Sequence, residues 1–128
     1  IQGKSMRKVF KGKTPKDWRE SVYYHYYEYP GPHKVRRHYG LRTKDYKLIH
    51  YYHDIDAWEF YDLQEDPEEN NNLIDNPDYQ EEIEMMKQKL DSVQRYYNVT
   101  EKEFEKASEK SIETAYRNFE RMRGKPIE

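Results

Sequence analysis

The chain has 128 residues, a formal net charge of −2 at pH 7, 38% charged residues and 16% aromatic ones. That length predicts a single domain, and the aromatic content argues against a disordered chain. The balanced charge gives no global field for nucleic acid or membrane. No apolar run is long enough for a membrane span or a signal peptide, and the absence of cysteine excludes disulfides, thiolate metal sites and a cysteine nucleophile.

The chain starts at Ile1 rather than Met, as expected of a processed protein or an excised piece. Residues 1–20 read as a basic lead-in arm with a short turn around residues 5–10, interrupted by Gly12 and Pro15. Trp18 is expected to anchor this arm by packing, with a place in a ligand site as the alternative.

Residues 21–63 hold ten of the fourteen tyrosines and all five histidines. The run is rich in Tyr, Val, Ile, Phe and Trp and is cut by turn residues, which predicts strands. Four are expected, over about 21–29, 34–42, 46–52 and 57–63. Tyr29-Pro30-Gly31-Pro32, Thr43-Lys44-Asp45 and His53-Asp54-Ile55-Asp56 are the connections. Such short links favour an antiparallel meander. In the first strand Val22, Tyr24, Tyr26 and Glu28 point one way, and Tyr23, His25, Tyr27 and Tyr29 the other. Neither face is clearly polar. One can take a helix, and the other needs a second cover or is an exposed aromatic patch.

Pro67 and polar residues end the last strand. Asp66, Glu68 and Glu69 do not follow EF-hand spacing and read as a solvated acidic turn. Asn76-Pro77 starts a helix, and Tyr79, Ile83, Met86, Leu90, Val93 and Tyr97 recur at steps of four and three along it. This helix is expected to cover one sheet face, with Met86 in the core. Thr100-Glu101-Lys102-Glu103 reads as a capping box. It opens a second helix with Phe104, Ala107, Ile112, Ala115, Phe119 and Met122 near one side, stopped by Gly124 and Pro126. The fold class is therefore α+β: a four-stranded antiparallel sheet with a C-terminal helix on one face and an additional helix after it. The division is an arm (1–20), a sheet-plus-helix domain (21–99) and an additional helix (100–128).

The strongest chemical signal is basic and aromatic: Lys34, Arg36, Arg37, His38, Tyr39, Arg42, Lys44 and Lys47. Along a strand Arg36, His38 and Arg42 share a face, with Gly40 between them. Arginine forks suit sulfate, phosphate or carboxylate, and a solvated basic strand is the plain alternative. His25, His33, His38, His50 and His53 lack the i, i+4 pairing of a helical zinc site. Ser21 has no elbow motif around it. No metal site and no catalytic residue are expected in the chain.

Three phrases coincide. Arg19-Glu20-Ser21-Val22-Tyr23-Tyr24 follows Trp18. Tyr39-Gly40-Leu41-Arg42-Thr43 leads into Asp45-Tyr46-Lys47-Leu48-Ile49. Trp58-Glu59-Phe60-Tyr61-Asp62-Leu63 leads into Asp66-Pro67-Glu68-Glu69 and Asn72-Leu73. Together they resemble the C-terminal subdomain of bacterial type I sulfatases, in the alkaline-phosphatase superfamily, over residues 3–97. The helix after Thr100 extends beyond that pattern.

The resemblance implies a fragment that is inactive alone. Its partner would be an N-terminal catalytic domain carrying formylglycine and calcium, acting on a sulfated glycan in the periplasm or outside the cell. That domain would also cover the second aromatic face. The resemblance further implies that such a subdomain can lend residues to the substrate pocket. His33, at the end of a loop stiffened by Pro30 and Pro32, is the first candidate, followed by His25, Arg37 and His38. Two other readings stay open. One is a nucleic-acid or anionic-ligand module using the tyrosine-rich sheet, and the other is a structural interaction domain.

Overall fold

The computed structural model describes residues 4–29, 33–53 and 55–124. Four strands, β1 (Val22–Tyr26), β2 (His38–Arg42), β3 (Tyr46–Tyr51) and β4 (Ala57–Asp62), form one antiparallel sheet in sequence order. Two helices follow, α1 (Gln80–Tyr96) and α2 (Glu109–Met122). The fold class and the element order match the expectation.

Register sorts the two faces. Tyr23, Leu41, Leu48 and Phe60 lie in one row across the strands, and His25, Tyr39, His50 and Trp58 in the next row on the same face. Leu41, Leu48 and Phe60 pack against Ile83, Met86 and Leu90 of α1, and all six are buried. Met86 is fully enclosed, as its place in the helical stripe predicts. The opposite face carries Tyr24, Gly40, Ile49 and Glu59 in one row and Tyr26, His38, Tyr51 and Ala57 in another. Ile49, Tyr61 and Leu63 form a smaller cluster there, flanked by Tyr24 and Tyr51. α1 packs only on the first face.

Gly40 is required by a close approach. A Cβ there would lie 2.5 Å from the Leu48 carbonyl oxygen and 2.5 Å from the Tyr24 hydroxyl. Tyr24 therefore lies flat across β2, which no side chain at position 40 would allow.

Local chemistry fixes the connections. Thr43 Oγ1 accepts from the Asp45 and Tyr46 amides and donates to the Tyr46 carbonyl, closing the β2–β3 hairpin. β4 is an edge strand, and the segment after it satisfies that edge. Asn72 Oδ1 accepts from the Phe60 amide at 3.0 Å, and the Leu73 amide donates to the Phe60 carbonyl at 2.8 Å. Asp62, itself buried, accepts from the Gln64 and Glu65 amides. The phrase from Trp58 to Leu73 is thus a strand together with its own edge cover.

Several boundaries differ from expectation. β1 and β2 are shorter, because Tyr27–Tyr29 and Lys34–Arg37 leave the ladder; Lys34 takes φ 54°. Arg36 therefore lies outside β2 and off its face. The first turn after Asn76 is a 3-10 turn, Pro77–Tyr79, capped by the Asn76 side chain. Tyr97 is solvent-facing rather than core, because α1 ends at Tyr96 and Asn98 turns the chain at φ 54°. The box at Thr100 opens only a 3-10 turn, Glu101–Phe104, with no side-chain cap from Thr100. Glu105 is extended, and α2 starts afresh with Ser108 accepting from the Ser111 amide. The break has a cause. Phe104 turns into the sheet against His25, Tyr39 and Tyr52, and Arg37 binds the Glu105 carbonyl, so the chain cannot coil on as one helix.

The arm folds back on itself. Lys4 Nζ donates to the Asp17 carbonyl at 2.6 Å, a 3-10 turn spans Val9–Lys11, and Lys89 of α1 pairs with Glu20 at 3.5 Å. Trp18 is half-buried with the Arg19 guanidinium over its ring. No helix among the described residues is long and apolar enough to cross a membrane.

Candidate functional site

The sequence-predicted residues fall into three places. His25 sits in the second row of the α1 face, beside Tyr39, with its side chain 3% exposed. Its Nε2 is 2.6 Å from the Tyr52 hydroxyl and its Nδ1 3.4 Å from that of Tyr23. Tyr27 lies on its ring at 3.9 Å and Phe104 at 5.3 Å. Burial pulls its pKa down to about 4, against the carboxylate of Glu103, which is 4.0 Å from Nδ1. Tyr27 in turn donates to Glu103 at 2.7 Å. His25 is therefore the centre of a clamp that fastens the 3-10 turn to the sheet. Its ring offers no free edge to a ligand in this arrangement.

His33 and Arg37 stand together at a second place. A cavity of about 350 Å³ opens between the segment after β1 and α2. Its walls include Tyr27, Tyr29, His33 and Arg37 on one side and Ile112 and Phe119 on the other. His33 is exposed at the rim, with its ring edge-on to Phe119 at 6.1 Å. Arg37 is buried. Its Nη1 donates to the Glu105 carbonyl at 3.1 Å, while its Nε has no hydrogen-bond partner among the described residues. An enclosed guanidinium with a donor to spare suits an anionic group. Pro30 and Pro32, expected to stiffen this loop, lie with Gly31 outside the described residues.

His38 is at the third place, on the sheet face away from α1. It stacks on Tyr26 at 5.5 Å and its Nδ1 is 2.8 Å from the Arg36 carbonyl. The basic cluster does not form one strip here. Arg42 and Lys47 both pair with Glu69, which adopts φ 57° to reach them. Arg36 lies over Tyr29 at 4.5 Å, and Arg37 turns inward. The acidic turn is thus only partly solvated: Glu69 is its inward-facing member. His38 and Arg42 share a face with Gly40 between them, as the alternation predicts.

Sequence reasoning missed three contributors. Phe104 and Glu103 fit a helix by sequence, and their role depends on a turn that only tertiary contact creates. Phe119 belongs to an apolar stripe whose target could not be named. His50 belongs to a further group: Nδ1 is 2.7 Å from the Tyr39 hydroxyl, Nε2 is 2.7 Å from Asp56 Oδ1, and its ring stacks on Trp58 at 4.1 Å.

Known proteins align with this chain over most of its length. The family model described as N-sulphoglucosamine sulphohydrolase, C-terminal, matches residues 1–96. An N-acetylglucosamine-6-O-sulfatase of Bacteroides thetaiotaomicron is 52% identical over 99 residues, covering 76% of this chain. This chain spans only 18% of that relative. A protein solved in complex with its substrate D-glucosamine-2-N,6-O-disulfate is 45% identical, with a TM-score of 0.77, over 83% of this chain and 22% of the other. A 2-O GAG sulfatase shares the fold, with a TM-score of 0.65 at 24% identity, over 77% of this chain and 22% of the other.

Proposed function

The chain belongs to the N-sulphoglucosamine sulphohydrolase C-terminal family, and from that membership we propose that it is the C-terminal domain of a sulfatase hydrolysing sulfate esters of sulfated glycans. The observation that carries the reading is the match over residues 1–96 together with 52% identity to a sulfatase that spans far more than this chain. Sulfated glucosamine is the proposed substrate class, because two relatives are described by it. A periplasmic or extracellular setting is part of the same proposal. So is the division into an arm (1–20), a sheet-plus-helix domain (21–99) and an additional helix (100–128).

In this reading the chain recognises and the catalytic domain reacts. Formylglycine and calcium would belong to that domain, where they would supply the nucleophile and the charge that binds the sulfate. The residues here do not fit either group: the sequence has no Cys or Ser followed by x-Pro-x-Arg, the pattern from which formylglycine is made, and among the described residues no three His, Asp or Glu side chains converge. The face bearing Tyr24, Tyr26, His38 and Tyr51 is the surface that docks on the catalytic domain, since α1 leaves it open. His33 contacts the glycan from the rim, and Arg37 supplies buried positive charge behind it. His25 acts through the clamp: by holding Tyr27, Tyr52 and the 3-10 turn, it positions that wall. His38 orders the docking face through Tyr26.

The test is His33→Ala in the intact sulfatase. The proposal expects kcat/KM to fall on a sulfated glucosamine saccharide while activity on a small aryl sulfate is retained. Unchanged values on both substrates would overturn the role of His33.

A further inference from the structure

A second cavity, of about 380 Å³, lies on the α1 face at the end of β3. Its size is within the range of small-molecule sites, and its make-up is the usual one of aromatic walls with a few placed polar groups. The walls are the rings of Tyr39, Tyr52 and Phe104; the polar groups are His50, His53, Gln94 and Glu101. The polar groups are held in place. A carboxylate can only accept, so His50 Nε2 donates to Asp56. In the neutral ring that leaves Nδ1 to accept from the Tyr39 hydroxyl. Tyr39 has then spent its hydrogen on His50, and with the Gln94 amide donating to its oxygen one lone pair is left to accept. His53, in the left-handed region at φ 72°, is swung out of the strand direction with its ring edge-on to Tyr52 at 4.8 Å. Glu101 is exposed at the mouth, in the turn that Phe104 anchors.

We propose that this cavity binds one unsulfated pyranose unit of a glycan, its ring against Phe104 and Tyr52 and its hydroxyl or amino groups toward Glu101, His53 and Tyr39. The site is acidic at its edge. Glu101 and the largely exposed Asp56 repel a sulfate and attract hydroxyl or ammonium donors. A polyanion or a nucleic acid is disfavoured for the same reason. The inference rests on the glycan-directed reading above but uses none of the residues at the His33 cavity. A glycan chain offers unsulfated units beside sulfated ones, and holding both would raise the effective concentration of the reacting unit.

The experiment is ligand-observed saturation-transfer NMR on the intact protein. The probes are the N-acetylglucosamine disaccharide and its 6-O-sulfated counterpart, each at millimolar concentration. The expected result is binding of the unsulfated sugar, weakened about five-fold or more in Glu101→Gln, which loses the charge and one acceptor oxygen, and in His53→Ala, which loses a hydrogen-bond partner. Glu101→Gln and His53→Ala should remove a smaller share of the sulfated probe's binding than of the unsulfated sugar's. Binding of the unsulfated sugar that both site variants leave intact would overturn the assignment. Sulfate release measured on the same samples separates the two readings. If the sulfatase reading fails, turnover is absent whatever the sugar does. If only this inference fails, turnover persists while Glu101→Gln and His53→Ala leave sugar binding as it was.

Discussion

Protonating His25 should loosen the molecule, and the structure gives the size of the effect. The ring is enclosed by Tyr27, Tyr39, Tyr52 and Phe104, with Arg37 and His38 adding repulsion and Glu103 opposing them. Its pKa is about 4 in the fold against an ordinary 6.5. The sign follows directly. Above 6.5 both folded and unfolded chains carry a neutral ring and the full stability is present. Between 6.5 and about 4 only the unfolded chain takes up the proton, so stability falls as pH drops. Below about 4 both are charged and this contribution is flat. The whole gap corresponds to roughly 3 kcal/mol. Going from about pH 7.5 to about pH 5, with water at the rim of the cluster screening part of the effect, the loss is roughly 1–2 kcal/mol. Urea unfolding of the wild type and of His25→Gln at both pH values isolates the residue, because the carboxylates titrate alike in the two. The wild type should lose that extra amount and the variant should not. Equal pH slopes in the two proteins would refute the buried, neutral histidine.

Two further outcomes follow from the sheet. Gly40→Ala drives a methyl to 2.5 Å from a backbone oxygen of the central ladder, which cannot retreat without breaking β2–β3 pairing. We expect a loss of about 2–3 kcal/mol, read as a drop in Tm of several degrees; an unchanged Tm would contradict the placement of Tyr24 over β2. The face away from α1 exposes Val22 at 48% and carries Tyr24, Tyr26 and Tyr51. The chain alone should bind an apolar dye or self-associate through it, and Val22→Lys with Tyr26→Lys should suppress this. A monodisperse, dye-negative wild type would count against an uncovered docking face.

What the sequence could express was local. The Asn76-Pro77 start and the stripe from Ile83 to Leu90 specify α1 because cap and period are written within a few residues. The hairpin at Thr43 is equally local. The uncovered face was foreseeable from β1 alone, where tyrosines alternate with no polar side. The failures are all tertiary. Phe104 fits a helical stripe as well as it fits an aromatic pocket, and only the arrival of His25, Tyr39 and Tyr52 decides between them. Glu69 looked like one of several solvated acids, because nothing near it in sequence shows that Arg42 and Lys47 will be within reach. The basic run from Lys34 to Lys47 promised a charged strip. Its members separate because Arg37 turns inward and Arg36 lies on Tyr29. His33 and Arg37 meet at one cavity, a neighbourhood completed by a helix more than seventy residues away in sequence.

The most direct measurement exchanges this chain for the corresponding C-terminal part of the Bacteroides thetaiotaomicron N-acetylglucosamine-6-O-sulfatase, to which it is 52% identical. Sulfate release from a sulfated glucosamine saccharide is then followed for the chimera and for the 128-residue chain alone. The account predicts turnover by the chimera and none by the chain alone. A folded chimera that releases no sulfate, or release by the chain alone, would contradict it.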